Sequence, residues 1–96
     1  MAVFLISLTY KKSLEEVDRL LDAHIAWLKQ GYAEGLLLAS GRKQPRTGGM
    51  LIACGARDAV EALLADDPFR REGIADYAIT EVSFTMVAPG LEALQG

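Results

Sequence analysis

The chain has 96 residues, 51% of them hydrophobic and 24% charged, with a formal net charge of −3 at pH 7. That composition suits one soluble globular domain with a single core, and its basic residues, scattered apart from Lys11-Lys12 and Arg70-Arg71, leave no footprint for nucleic acid. No apolar stretch approaches the roughly 20 residues of a membrane span, and the opening Ala2-Val3-Phe4-Leu5-Ile6 carries no basic leader. The single cysteine, Cys54, leaves no partner for a disulfide or a thiolate cluster, which fits a reducing cytoplasm.

Val3 to Thr9, rich in β-branched and aromatic residues and ended by Lys11-Lys12, reads as a strand. Ser13 with Glu16 has the spacing of a capping box, so a helix begins there. Leu14, Val17, Leu21, His24 and Leu28 follow at spacings of 3 and 4, which places His24 on the helix's apolar stripe. Gly31 and Gly35 offer left-handed conformations that end a helix. Leu36 to Ala39 reads as a second strand running into Ser40-Gly41-Arg42.

Lys43 to Gly49, with Pro45 and Gly48-Gly49, reads as a hairpin loop. Met50 to Cys54 is apolar on both parities, as expected of a central strand. Asp58 and Glu61 repeat the capping spacing ahead of a short helix through Val60, Leu63 and Leu64. Pro68 breaks that helix at Asp67, Phe69 to Gly73 forms one turn, and Tyr77 to Val87 is the last strand. Residues 88–96 remain as a C-terminal tail, with no linker or internal repeat to divide the chain, so 1–96 reads as one domain.

The order β-α-β-β-α-β is that of a ferredoxin-like α+β domain, an antiparallel sheet with two helices on one face. Alternation forbids Val3, Leu5, Leu51, Ala53, Val82, Phe84 and Met86 from all pointing at those helices. An apolar second face is therefore expected, and a homodimer packed sheet to sheet is the simplest way to cover it.

His24 is the chain's one histidine. An imidazole buried without a hydrogen bond costs about 1–3 kcal/mol, and the carboxylate of Asp67, in Asp66-Asp67-Pro68-Phe69, is the candidate partner. A carboxylate on one ring nitrogen fixes the tautomer and equips the other for proton transfer. The pair has two readings, general acid–base catalysis or a satisfied core histidine, and Asp67 has the further reading of a turn residue bonding its own backbone. Ser40 and Arg42 share parity on their strand; they either face a cleft, where Arg42 would bind an acidic group and Ser40 donate a hydrogen bond, or form an exposed strand end. Trp27 and Tyr32 read as core or interface, or as aromatic walls for a planar ligand. No ligand set for a metal and no nucleotide fingerprint is present, so neither metal nor cofactor is expected.

His24 inside the first helix, the run Gly35-Leu36-Leu37-Leu38-Ala39-Ser40-Gly41 and the step Asp66-Asp67-Pro68-Phe69 together resemble the YCII-related (YciI-like) family over nearly the whole chain. The resemblance implies a dimeric α/β barrel of ferredoxin-like subunits and a cleft holding a His–Asp pair, mapped here to His24 and Asp67. One branch of that family looks like dehydrochlorinases of hydroxylated, chlorinated rings, and the wider fold group includes muconolactone isomerase-like proteins and cofactor-free monooxygenases. The expectation is a small cytoplasmic enzyme, a lyase or isomerase moving a proton on a small polar or aromatic substrate. A non-catalytic ligand-binding module on a dimeric scaffold and a cofactor-free monooxygenase are the alternatives.

Overall fold

The computed structural model describes residues 2–96. Its elements are β1 (Ala2–Tyr10), α1 (Leu14–Arg19), α2 (Leu21–Ala33), β2 (Leu37–Arg42), β3 (Gly48–Gly55), α3 (Arg57–Ala65), α4 (Pro68–Arg71), β4 (Ala75–Val82) and a 3-10 turn at Glu92–Gln95. The strands form one antiparallel sheet in the order β2-β3-β1-β4. This is the ferredoxin-like α+β architecture read from the element order.

Period-two alternation along β1 builds the core. Phe4, Ile6 and Leu8 point one way and are at most 2% exposed, packed with Val17, Trp27, Val60, Leu63, Leu64 and Phe69 from all four helices. Each such side chain contributes about 1.5–3 kcal/mol by leaving water. Cross-strand register adds Leu51, Ala53 and Ile79 to the same face, so Leu51 and Ala53 belong to the helix side of the sheet.

The reverse face carries Val3 and Leu5 of β1, Ile52 and Cys54 of β3 and Val82 of β4, by the same register. The C-terminal 3-10 turn lies against β1, and Val3 is buried to 2% exposure. Leu5, Ile52 and Val82 remain half-buried, and Met50 is 40% exposed.

The boundaries differ from the sequence reading at several points, each for a physical reason. The first helix is two pieces: at Leu20 (φ −104°, ψ 3°) the backbone leaves helical geometry. Leu14 therefore falls out of phase and is 44% exposed, and the buried line of α2 is His24, Trp27 and Gly31. Ser13 does accept from the Glu16 amide at 3.3 Å. Asp58 caps nothing; α3 starts at Arg57 behind Ala56, leaving Asp58 as first-turn negative charge.

Of the two expected left-handed glycines, Gly35 alone has positive φ (74°). Gly31 is instead a helical packing position, where an added Cβ would lie 2.6 Å from Leu37 Cδ1. β3 begins at Gly48, so the loop is the five residues 43–47. The last strand stops at Val82, not Val87: the ladder ends at Val82 paired with Val3, one residue inside the Ala2 end of β1. Phe84 and Met86 lie outside the sheet, the latter 87% exposed.

Gly48 is fixed by close approach. A Cβ there would stand 1.7 Å from the Leu8 carbonyl oxygen of the paired strand, whereas one at Gly41 meets nothing within 4 Å. Gly48→Ala should lower unfolding free energy by about 2–3 kcal/mol through overpacking against backbone. Gly41→Ala should stay within about 0.5 kcal/mol, both read from urea unfolding of the purified protein.

Candidate functional site

The connection between α3 and α4 places Asp67. Pro68 occupies the first position of α4, where its missing amide proton is harmless, and holds Asp67 extended (φ −62°, ψ 124°) as the residue before it. In that conformation Asp67 caps the helix, Oδ1 accepting from the Phe69 amide at 3.0 Å. The same Oδ1 lies 2.8 Å from His24 Nδ1, so the turn role and the histidine contact coexist on one oxygen. Oδ2 accepts from the Tyr77 hydroxyl. The carboxylate is 0% exposed and has a donor on each oxygen.

His24 is held from α2 by more than that bond. Its ring stacks on Phe69 with centroids 4.0 Å apart and planes within 6°. Trp27, one turn on, lies 5.4 Å away on the ring's own α2. The Trp27 indole donates to the Leu63 carbonyl at 2.8 Å, which ties α2 to α3 and makes Trp27 a structural residue. With Nδ1 committed to Asp67, no hydrogen bond reaches Nε2 among the described residues.

The His24 ring borders a cavity of about 160 Å³ between the helices and the sheet, which Ser40 and Arg42 also line, with Leu8, Leu21, Leu28, Leu51 and Phe69 as apolar walls. Asp67 stands behind the ring and does not line it. Ser40 and Arg42 reach this cavity through a β-bulge. Leu37 pairs with Ala53 and Ala39 with Ile52, a register shift that puts Ser40 opposite Leu51 and Arg42 opposite Gly49. Odd-numbered Leu37 and even-numbered Ser40 and Arg42 thereby face the same side, a re-aiming typical of bulges.

Ser40 Oγ is 2.7 Å from the Tyr32 hydroxyl, so Tyr32 touches the site through Ser40. Arg42 forms no ion pair among the described residues. Beside it the 43–47 loop is tied to α1 by Arg46, whose Nη2 lies 2.6 Å from Asp18 Oδ1. That hydrogen bond holds the Asp18 carboxyl below its ordinary range, with the Arg46 and Arg42 charges adding to it. A larger hollow of about 430 Å³ lies between α2 and α3, with Asp66 at its rim, but the buried imidazole does not face it.

Tyr77 is the site residue that the sequence did not single out, whereas Phe69 entered only as the aromatic end of the Asp66–Phe69 step. Burial pushes the Tyr77 hydroxyl well above its ordinary value, and the Asp67 charge pushes it further, so it is a donor throughout the accessible pH range. Nothing in the sequence marks it: its link to Asp67 depends on α4 folding the chain back before β4. Among the described residues no group of His, Cys, Asp or Glu could hold a metal ion, and no helix is long and apolar enough to cross a membrane.

Removing the carboxylate strands the His24 and Tyr77 donors and uncaps α4. Asp67→Ala should destabilise the protein by about 2–5 kcal/mol. The adjacent exposed Asp66→Ala should change stability by no more than about 0.5 kcal/mol, both measured by denaturant unfolding at neutral pH.

No curated protein sequence matches the chain. Among solved structures, the chain is similar to the 5-chloro-2-hydroxyhydroquinone dehydrochlorinase TftG of Burkholderia phenoliruptrix AC1100, solved in complex with 2,5-dihydroxybenzoquinone. The two share 23% identity at a TM-score of 0.70, covering 81% of this chain and 90% of that one. At that identity the likeness establishes a common fold. The model of the YCII-related domain matches residues 1–83, and the chain belongs to the YCII-related family.

Proposed function

We propose that the protein is a small enzyme of lyase or isomerase type, in which His24 Nε2 exchanges a proton with a ring-sized substrate and Asp67 orients the imidazole. The observation that carries this reading is the division of labour on the ring. Nδ1 is bonded to a fully buried carboxylate, and the ring borders a cavity also lined by Arg42, which has no ion-pair partner among the described residues. The cavity's 160 Å³ is close to the ~150 Å³ that accommodates benzene in an engineered protein cavity. Its apolar walls suit a single ring, and Arg42 with Ser40 suits an anionic or hydroxyl substituent on that ring.

For a hydroxylated, chlorinated ring, the substrate class in the name of the structural neighbour TftG, the steps follow from these groups. Arg42 holds a ring oxygen. Nε2 moves the proton of one ring hydroxyl to the chlorine-bearing carbon, giving the keto tautomer, and then takes the proton of a second hydroxyl; the pair so freed forms a carbonyl, the ring double bond shifts to the chlorine-bearing carbon, and the C–Cl bond breaks with its pair going to chloride, leaving a quinone. The imidazolium is stabilised by Asp67 until it returns the proton to solvent. General acid–base catalysis is worth about 10²–10⁴-fold. His24→Ala should therefore lower chloride release from a panel of chlorinated hydroquinones at least about 100-fold while the fold persists by circular dichroism. A loss below about tenfold, or one matched by loss of stability, contradicts the reading.

The protein is further proposed to act as a homodimer through the reverse face of the sheet. Leu5 and Ile52 are cross-strand partners there and stay half-buried in the single chain, and apolar surface of this kind is normally covered by a symmetric copy. Sedimentation of the unaltered protein should give twice the chain mass, and Ile52→Asp should give single chains at the same concentration. A monomer for the unaltered protein at micromolar concentration contradicts this.

A further inference from the structure

We propose that Tyr77 is a positioning residue of the His24–Asp67 pair, its hydroxyl pinning Asp67 Oδ2 so that Oδ1 stays turned toward the imidazole. This rests on the acid–base reading of His24 for its kinetic consequence, but not for its geometry.

Oδ1 already serves two donors, His24 Nδ1 at 2.8 Å and the Phe69 amide at 3.0 Å. Oδ2 has one, the Tyr77 hydroxyl, among the described residues. The carboxylate is 0% exposed, so no solvent is at hand to replace that donor. Without it the carboxylate is anchored on one side alone and is free to swing about its Cβ–Cγ bond. Tyr77 is itself held. It faces the helices from β4, opposite Leu8 in the ladder, and the Arg70 guanidinium lies 5.3 Å from its ring centroid. The charged or titratable groups around the pair are thus Tyr10 from β1, Arg42 from β2, Arg70 from α4 and Tyr77 from β4.

Coupling between two groups is reciprocal. The Asp67 charge holds the proton on Tyr77, after burial the largest influence on it; the protonated hydroxyl in turn favours the ionised carboxylate. Deleting the hydroxyl removes a donor from the anionic form, so the His24–Asp67 pair takes up its proton at higher pH. A phenyl ring of the same shape keeps the packing, which separates this role from a merely structural one.

Tyr77→Phe tests it. His24 is the chain's one histidine, so its ring signals in NMR titrate without overlap and need no substrate. The expected result is a His24 transition displaced to higher pH in Tyr77→Phe, with amide dispersion preserved. With a turnover assay in hand, kcat should fall about threefold to tenfold, the net worth of one hydrogen bond, with KM unchanged and the acid limb of the rate profile moved the same way. Superimposable titrations and unchanged kcat, accompanied only by lowered stability, overturn the proposal. If Tyr77→Phe fails to fold, the unaltered protein decides. A Tyr77 hydroxyl proton slow enough in exchange to be seen, with a cross-peak to the Phe69 amide proton, supports it, and a freely exchanging hydroxyl overturns it. Absence of any effect of His24→Ala on turnover defeats the enzymatic reading and leaves the titration result standing.

Discussion

The Asp67 carboxylate is the constraint on which the site is built. It is wholly buried, and three groups from three different elements donate to it: the Phe69 amide of α4, the imidazole of α2 and the phenol of β4. A buried carboxylate left unsatisfied is among the more destabilising features a core can hold. Satisfying this one fixes where α4 starts, how α2 is rotated, and which nitrogen of His24 is engaged. The same contacts that make the core tolerable therefore make the imidazole directional. Stability and candidate chemistry share one set of hydrogen bonds, so each substitution at the pair is read in activity and in stability together.

The sheet supplies the other half of the site by an irregularity. A regular β2 would send Leu37 and Ser40 to opposite faces, burying one and losing the other from the cavity. The shift between Leu37 and Ala39 lets the strand plug the core with Leu37 and still present Ser40 and Arg42 beside His24. Gly48, where β3 meets Leu8 too closely for any side chain, brings the floor of the cavity up to β1. The resulting space is small and mostly apolar with a cationic end, which is a description of a ligand class as much as of a cavity.

Much of this was legible in the sequence because local rules and global fold agree. The strand patterns, the Ser13 cap, the Asp-Pro step and the apolar setting of His24 all point to the architecture found, and to a histidine in need of a carboxylate. What was hidden depended on contacts distant in sequence. The break at Leu20 re-phases the first helix, so Leu14 is exposed and Gly31 takes a core position against Leu37. The β4 ladder ends one residue inside the start of β1, and apolar Phe84 and Met86 gave no sign of it. The parity shared by Ser40 and Arg42 was visible, but their common side with Leu37 needed a bulge that no residue type announces. Tyr77 was missed because a tyrosine in a strand reads as packing until its hydroxyl is seen to end on a buried carboxylate.

The most direct measurement is the response of the His24 ring nitrogens to a ring-sized ligand, followed by ¹⁵N NMR while 2,5-dihydroxybenzoquinone or a chlorinated hydroquinone is added. The free protein should carry the proton on Nδ1, and the ligand-dependent change should be concentrated on Nε2 while the Nδ1 proton keeps its bond to Asp67. A free protein carrying the proton on Nε2, or ring signals indifferent to every such ligand at saturating concentration, contradicts this.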